Sequence, residues 1–408
     1  MKLTTKIFLD KTVCYPAALI LNFVVRLFGK ILRIDHSLDK EFKTITICKY
    51  KGLGSIVQAT PLMKKIKEKY PGCKLVFVSG KENAALLKNI PLIDELILLD
   101  SGSVLSFMQN FPRFIFSLWK LRSDVYIDLE IYSDFSSIMA CLSLSKNRLG
   151  YFLRSSQYRL GMYTHMMFFN LYSPIANTYL QMGRLLNIDD GHVDLYSFDG
   201  LNENDQLEGF GLEKDKYIII NPNCSDLRLE RRWDKEKFQE LIPKINHDFP
   251  EYTLVLIGGK NEMGYVKGIE DNVKGLPVIN LAGKTTLEEL LVIIRHCMLM
   301  VTNDSGPMHI AYAMKVKCVS LFGPCSPEQY GLQVNAYNIY KKVYCSPCVH
   351  DFVMPPCKGN NQCMKLISVQ EVYELCRSLL KGEKVVFSGR SSLIYTAGNM
   401  PLGIISRP

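Results

Sequence analysis

Two β-branched runs each stop at a polar turn and hand over to a helical segment: TITICKYKGLGS at 44–55 and KYIIINPN at 216–223. A short apolar strand, a glycine or asparagine turn and then apolar residues at helical spacing predict a βα unit of a parallel sheet. The pattern repeats after each run. The first is followed by a helix over 56–70, strands at KLVFVSG (74–80), ELILLD (95–100) and DVYIDLE (124–130), and a helix over SDFSSIMACLSLS. The second is followed by a helix over KEKFQELIPKINHDF, a strand at YTLVLIGG (252–259), then PVINLAG, TLEELLVIIRHC, MLMVTND, a helix beyond Pro307 and KCVSLFGP. Between the two series, 162–188 reads as mostly helical, and DDGHVDLYSFDGLNENDQ as a linker. At 408 residues the chain exceeds one ordinary core. The expectation is two Rossmann-like α/β domains, 41–195 and 215–380, with a segment 1–40 before them and a loose tail 381–408 after them. They are expected to face each other across a cleft, with ligands beyond the carboxyl ends of the strands.

Composition narrows the partners. Apolar content of 48% and charged content of 22% belong to a folded protein, not a disordered one. The net charge of +9 suits an anionic membrane surface or a phosphorylated substrate. No basic block with interleaved aromatics is present, so nucleic acid is not an expected partner. The 13 cysteines are odd in number, and Cys48, Cys141, Cys297 and Cys318 lie in apolar runs, as reduced, buried residues of a cytosolic protein do. Asp10 and Lys11 follow the start with no small-residue cleavage site, so no secretory leader is expected.

The segment VCYPAALILNFVVRLFGKILR (13–33) is broken by Pro16 and Asn22 and ends its uninterrupted part at Arg26. That is shorter than the ~18 apolar residues expected of a spanning helix. With Lys6, Lys11, Arg26, Lys30 and Arg33 flanking and interleaving it, the segment reads as a monotopic membrane anchor. A helix packed on the first domain is the alternative.

The chemistry concentrates at VTNDSGPMHIAYA (301–313). A strand ends at Val301–Thr302, Ser305 or Gly306 suits a helix cap, and Pro307 suits the first helical position. The helix start offers free N–H groups and partial positive charge to a diphosphate, with Gly306 permitting close approach. Asp304 would repel a phosphate but accepts hydroxyls, as on a sugar. An acid for hydroxyls beside a helix end for phosphate describes a nucleotide-sugar site; an ordinary capped helix with a solvated acid is the bland alternative.

The corner Asp304-Ser305-Gly306-Pro307-x-His309, the Phe322-Gly323-Pro324 that follows one helix later, and LAGKTTLEEL (281–290) resemble the C-terminal signature of glycosyltransferase family 9, the heptosyltransferases that build lipopolysaccharide core. The resemblance runs over roughly 44–380. It takes in a glycine loop, Gly52-x-Gly54 through Pro61, on the acceptor side; the basic-Trp motif Arg231-Arg232-Trp233 preceded by NPNCSDLRLE; and Gly258, Gly259 and Glu262. It implies a GT-B fold with the nucleotide-sugar on the C-terminal domain. It implies Glu262 on the ribose hydroxyls, Arg231 and Arg232 on the diphosphate and Asp304 on the donor sugar. Asn223, Ser305 and His309 complete the expected donor side. A carboxylate accepts two ribose hydroxyls, and guanidinium forks match phosphate oxygens. What the resemblance implies is an inverting transfer of a heptose or related sugar, ADP-linked, to a lipid-linked saccharide at the cytoplasmic face of the inner membrane. No cofactor is expected, and no D-x-D metal pair is present in the sequence.

The match fails at one position. The family's catalytic aspartate directly follows the loop glycine, where this chain has Ser55. A serine hydroxyl cannot serve as general base without a base of its own. Glu130, closing the fourth strand, is the first substitute; Asp134 also fits a cap of the next helix, and His165 is weaker. The alternatives are a GT-B-like binding protein that has lost its base, or a nicotinamide enzyme using the Gly52–Ala59 loop. The latter lacks its acid, since the second strand ends in Ser79-Gly80 and Lys81 follows. A sugar epimerase would share the architecture but not the Asp304 corner. Finally, Cys345, Cys348, Cys357 and Cys363 form a C-x2-C-x8-C-x5-C run, with His350 inside it. A structural zinc site is one reading, and free or disulfide-linked cysteines the other.

Overall fold

In the computed structural model the first β-branched run folds as β1 (Thr44–Cys48), its side chains almost wholly buried. The structure describes residues 5, 8–201, 206–224, 228–331, 333–350, 357–383 and 393–395. Lys6 of the N-terminal flank, residues 202–205 of the expected linker, Ser225–Leu227 of the NPNCSDLRLE stretch, Asp351–Pro356 of the cysteine loop and most of the tail lie outside them. The chain divides into two units, Met1–Leu195 and Tyr196–Pro408.

In the first unit, β1 leads into α2 (Leu53–Gln58) and α3 (Thr60–Lys69), preceded in the chain by α1 (Tyr15–Leu32). Then follow β2 (Lys74–Gly80), α4 (Ala84–Lys88), β3 (Glu95–Leu99), α5 (Val104–Leu121), β4 (Val125–Asp128), α6 (Asp134–Leu142), β5 (Asn147–Phe152), β6 (His165–Phe168) and α7 (Ile175–Gln181). The six strands pair in parallel in the order β3-β2-β1-β4-β5-β6. The stretch 162–188, read as mostly helical, contains the edge strand β6 and then the short helix α7, which a 3-10 helix, Met182–Leu186, continues. At half-buried THMMFF no apolar–polar alternation marks an edge strand, and only pairing with β5 reveals it.

In the second unit β7 (Tyr217–Asn221), α8 (Lys235–Asp248), β8 (Thr253–Leu256), α9 (Met263–Glu270), β9 (Val278–Asn280), α10 (Leu287–Arg295), β10 (Leu299–Asn303), α11 (Gly306–Ala313), β11 (Cys318–Phe322), α12 (Pro327–Tyr330) and β12 (Ala336–Tyr340) alternate. Two further helices follow, α13 (Gln362–Lys365) and α14 (Val369–Leu380). The sheet order is β13-β12-β11-β10-β7-β8-β9, parallel except for the edge strand β13 (Leu393–Tyr395), which pairs antiparallel with β12 inside the stretch expected to be a loose tail.

Both sheets therefore repeat one order, in which the direction of crossover reverses between the first and fourth strands. Loops leaving the carboxyl ends of those two strands diverge to opposite faces and open a crevice there. In the first unit the crevice lies between β1 and β4, paired Cys48 to Asp128. In the second it lies between β7 and β10, paired Asn221 to Thr302.

Candidate functional site

The crevice of the second unit is built on asparagines that close its strands. Asn221, ending β7, donates from Nδ2 to Thr302 Oγ1 and to Ser305 Oγ, both at 2.9 Å. Asn303, ending β10, donates to Pro222 O at 2.9 Å and accepts the Trp233 N–H at 3.1 Å. These bonds tie the two diverging loops together. Trp233 is fully buried, donates its indole N–H to Ile367 O at 3.0 Å and meets Phe238 edge-on. It is an anchor, and it fixes the two arginines that precede it.

Arg231 lies 3.5 Å from Asp304, both largely buried. Burial alone would push the Arg231 guanidinium down, but Asp304 outweighs it and raises it. Arg232 lies across the Tyr265 ring, 4.3 Å from its centroid, and 3.6 Å from Glu262. Glu262 accepts the Gly259 N–H at 2.7 Å. Asn223 donates to Ile257 O at 2.9 Å, and a Cβ on Gly258 would come within 2.7 Å of that amide, so glycine is required there. Ser305 is the residue capping α11, with Gly306 and Pro307 in its first turn. The Ser305 hydroxyl serves Asn221 and makes no cap bond, so the α11 N-terminus keeps N–H groups for a ligand. His309, on that first turn, is buried against Tyr312 and Tyr330. Burial and the nearby Arg231 push its imidazole down to about 4 against the pull of Asp304, so it is neutral at pH 7.

Among the described residues, four buried polar atoms here make no hydrogen bond: Asp304 Oδ2, which only faces Arg231 at 3.5 Å, Asn223 Oδ1, Arg231 Nε and Arg232 Nε. A native interior pairs nearly all such atoms, and exceptions mark places where a ligand or an ion completes the set. Two acceptors and two cationic donors at the carboxyl end of a switch point suit a ligand that is both anionic and hydroxylated. The expected donor-side residues Asn223, Arg231, Arg232, Glu262, Asp304, Ser305, Gly306 and His309 thus lie on the segments that follow β7, β8 and β10 and on the first turn of α11.

The crevice of the first unit holds the glycine loop. Gly52 caps α2 at φ 90°, a backbone conformation that L side chains rarely adopt, and brings Gly54 and Ser55 into the first turn. Glu130, just beyond β4, reaches across to this loop. Its carboxylate accepts Lys49 Nζ at 2.8 Å, the Tyr50 N–H at 2.8 Å and the Lys51 N–H at 3.0 Å. Burial alone would raise the Glu130 carboxyl, but the Lys49 ammonium and the N–H donors outweigh it and hold it low. That is the setting of an anchor. A general base needs an uncommitted lone pair and a raised pKa, so the expectation that Glu130 is the base finds no support in its surroundings.

Asp134 does not cap α6 either. Ser133 does, accepting Ser136 N–H at 3.3 Å. Asp134 is buried, bonded by Tyr158 and 3.5 Å from Lys11. His165 lies on β6 and not on an apolar helix, hydrogen-bonded to Thr164 at 3.0 Å. Ser55 lies near Tyr179, a buried phenol whose pKa burial raises, with Lys49 and Glu130 close enough to act on its charge. Lys49 and Tyr179 escaped sequence reading. A lysine directly after a β-branched strand, at its carboxyl end, was the one available signal.

Among the described residues, no three His, Cys, Asp or Glu side chains are grouped so as to hold a metal ion. Cys345, Cys348, Cys357 and Cys363 are not in disulfides and line a cavity of about 490 Å³ together with Glu230 and Pro324. The thiols face one cavity as free cysteines, and burial together with Cys348, Cys345 and Cys357 pushes the Cys363 thiol up to about 11. His350 instead bonds the Tyr330 hydroxyl at 2.8 Å.

Comparison with known proteins matches residues 150–355 to the model of glycosyltransferase family 9 (heptosyltransferase). Lipooligosaccharide heptosyltransferase 2 of Campylobacter jejuni is 29% identical over 340 residues, covering 81% of this chain and 96% of the relative. Lipopolysaccharide heptosyltransferase 3 of Escherichia coli K12 is 25% identical, covering 66% and 79%. In fold, the chain resembles the solved ADP-heptose lps heptosyltransferase II of E. coli (TM-score 0.65, 20% identity, 83% of this chain and 99% of that one). It also resembles a family 9 glycosyl transferase of Veillonella parvula (TM-score 0.68, 21% identity, 86% and 100%).

Proposed function

This chain belongs to glycosyltransferase family 9, and from that premise we propose that it transfers a heptose or a related sugar from a nucleotide-sugar, ADP-linked, to a lipopolysaccharide core or another lipid-linked saccharide. It works at the cytoplasmic face of the inner membrane, as a peripheral enzyme. The observation that carries the donor half is the set of buried polar atoms around Asp304 that make no hydrogen bond among the described residues. In this reading Arg231 and Arg232 take the diphosphate with the α11 N-terminus, Glu262 takes the ribose hydroxyls, and Asp304 and Asn223 take sugar hydroxyls. The neutral His309 supports the corner without adding charge beside the phosphates.

The reaction is a direct displacement. The oxygen of the acceptor hydroxyl attacks the anomeric carbon from the face opposite the diphosphate, which leaves with the bonding electrons, so the centre inverts; the hydroxyl's proton passes to solvent water as the new C–O bond forms. Fixed guanidinium groups and a helix end stabilise the charge that develops on the leaving group. The glycine loop (Gly52, Gly54, Ser55) serves the acceptor. Ser55 and Tyr179, a pair of neutral hydroxyls, can orient an acceptor hydroxyl, and Glu130 holds the loop in place for them.

A second reading, a donor-binding protein with little turnover, is favoured by two observations: Ser55 stands where the resemblance places the family's acid, and Glu130 is committed to Lys49. Two measurements decide. Calorimetric titration with ADP, UDP, GDP, dTDP and NAD should show ADP binding alone; UDP or GDP in its place overturns the ADP-heptose assignment. Incubation with ADP-heptose and heptose-deficient lipopolysaccharide should release ADP and lengthen the core; binding without release establishes the second reading.

A further inference from the structure

The charge of this chain is not spread evenly. Residues 1–195 carry 25 Lys and Arg against 16 Asp and Glu, whereas the remainder carries 24 against 24. The whole excess of +9 thus belongs to the first unit. That unit also bears a bare apolar surface. On α1, Ile20, Phe23, Leu27 and Ile31 recur at helical spacing and are 48–69% exposed. On α5, Leu105, Met108, Phe116 and Trp119 form a second exposed stripe, joined by the exposed Pro112. The opposite faces of the two helices meet in one core with α6: Ala18 packs there with Phe114, Ile115, Leu118, Met139 and Ala140.

We propose that α1 and α5 form a single docking platform by which the first unit lies on an anionic lipid bilayer, α1 in the plane of the interface and welded to the domain that takes the acceptor. The proposal deepens the membrane-side part of the function above and rests on it. By length and composition the helix Asp10–Leu32 could instead cross a membrane, but its polar contacts argue against that. Asn22 donates to Leu160 O at 2.7 Å and to Tyr158 O, and Arg26 donates to Leu160 O. Asp10 accepts the Asp134 and Phe135 N–H groups at 3.2 and 2.8 Å, standing on the N-terminus of α6. Tyr15 meets Tyr158 edge-on at 5.2 Å. A crossing helix would forfeit all of these and place Arg26 in hydrocarbon. Lying flat, it keeps them, sinks its apolar face among the acyl chains and leaves Lys30, with Arg113 and Lys120 of α5, exposed at headgroup level.

The turn that holds α1 also leads to the glycine loop. Arg159, between Tyr158 and Leu160, donates to Glu130 O at 3.4 Å and to Ser133 O at 2.6 Å. Glu130 in turn holds the N–H groups of Tyr50 and Lys51. Seating α1 therefore fixes the loop that receives a lipid-linked acceptor at a set position above the lipid.

The test is flotation of the full-length protein with phosphatidylcholine vesicles, with and without phosphatidylglycerol, beside the variant Ile20→Ser/Phe23→Ser/Leu27→Ser/Ile31→Ser. The parent should float with the anionic vesicles, less so in high salt, and alkaline carbonate should strip it. The variant should partition at least tenfold less while keeping its melting temperature, since the four residues are exposed. Failure of the parent to float, undiminished flotation of the variant, or resistance to carbonate each overturns the platform. So does a parent dimer that the variant abolishes, because a second copy would then be the occupant of the face. Turnover on a delipidated, water-soluble core saccharide separates the two levels. If it persists while flotation fails, only the platform falls; if flotation holds and turnover is absent, only the transferase reading falls.

Discussion

Replacing Glu130 by glutamine isolates the role of the buried pair in the first unit. The Lys49 and Glu130 side chains are only 8% and 10% exposed and 2.8 Å apart. Glutamine keeps an oxygen for the Tyr50 and Lys51 N–H groups but leaves the Lys49 ammonium facing an uncharged amide. Removing one partner of such a buried pair costs ~3–5 kcal/mol, because the other charge stays desolvated. For a unit near 195 residues each kcal/mol moves the melting temperature by about 2–4 °C, so a fall on the order of 6–20 °C is expected. Scanning calorimetry of the whole protein reads it, since two units give two transitions and only one should move. The double change Lys49→Met with Glu130→Gln should recover most of the loss, because no charge is then left buried and the amide oxygen still accepts the Tyr50 and Lys51 N–H groups. The pH dependence has a definite sign. The folded-state pKa of Glu130 is depressed, so its contribution is present above the unfolded value of ~4.3 and is lost as pH falls through the lower folded value. The glutamine variant should lack that acid-side loss. Turnover distinguishes anchor from base: an anchor lowers the whole pH–rate profile, a base removes its acidic limb. A transition moved by less than about 2 °C, within what ~1 kcal/mol accounts for, would refute the ion-pair argument, and a vanished acidic limb would refute the anchor.

Three further changes probe the remaining chemistry. Arg231→Lys replaces a fork facing Asp304 by a point charge, and the loss of one charge-assisted bond, ~1.5–3 kcal/mol, should weaken nucleoside diphosphate binding about 10- to 100-fold by titration calorimetry. Ser55→Asp restores a carboxylate where the family carries its base; if proton removal limits the rate, turnover should rise by about 10²–10⁴, and an unchanged rate would mean that another step governs. His309 is held neutral down to about 4 against an ordinary ~6.5, so the folded second unit resists protonation that the unfolded chain accepts. Its stability is full above ~6.5 and falls by an amount on the order of 3 kcal/mol as pH drops toward the folded value. His309→Gln should flatten that slope in the second calorimetric transition and leave the first unchanged.

Much of the fold was legible because parallel strands buried on both faces read as continuous β-branched runs, as at TITIC and YIIIN. The elements that escaped are those whose identity depends on a neighbour. NRLGYF (β5) and HMMF (β6) are strands because β4 extends a ladder to β5 and β5 to β6, and nothing in their own residues distinguishes them from turn or helix. The tail offered no period at all, and its three-residue strand exists through pairing with β12.

The same division runs through the site. The donor corner was legible because its residues are clustered in sequence: Asp304 through His309 lie within six positions, and Arg231, Arg232 and Trp233 are consecutive. Local geometry then suffices, since a strand end and a helix start place these groups together whatever else the chain does. Glu130 was found, but its surroundings were not legible, for the opposite reason. Its chemistry is set by Lys49, 81 residues away, which the β1–β4 register brings to its carboxylate. A carboxylate at a strand end looks like a base until its partner is known, and burial decides which it is: an isolated buried acid has a raised pKa and can take a proton, a paired one has a lowered pKa and cannot. The N-terminal segment shows the point a third time. Its residues alone allowed an anchor or a packed helix; the structure packs it, with Ala18, Asn22 and Arg26 committed to the domain, and leaves Ile20, Phe23 and Leu27 bare for the anchoring proposed above. Sequence can list which groups are capable of a chemistry, but the neighbours that burial and register supply determine which of them are free to perform it.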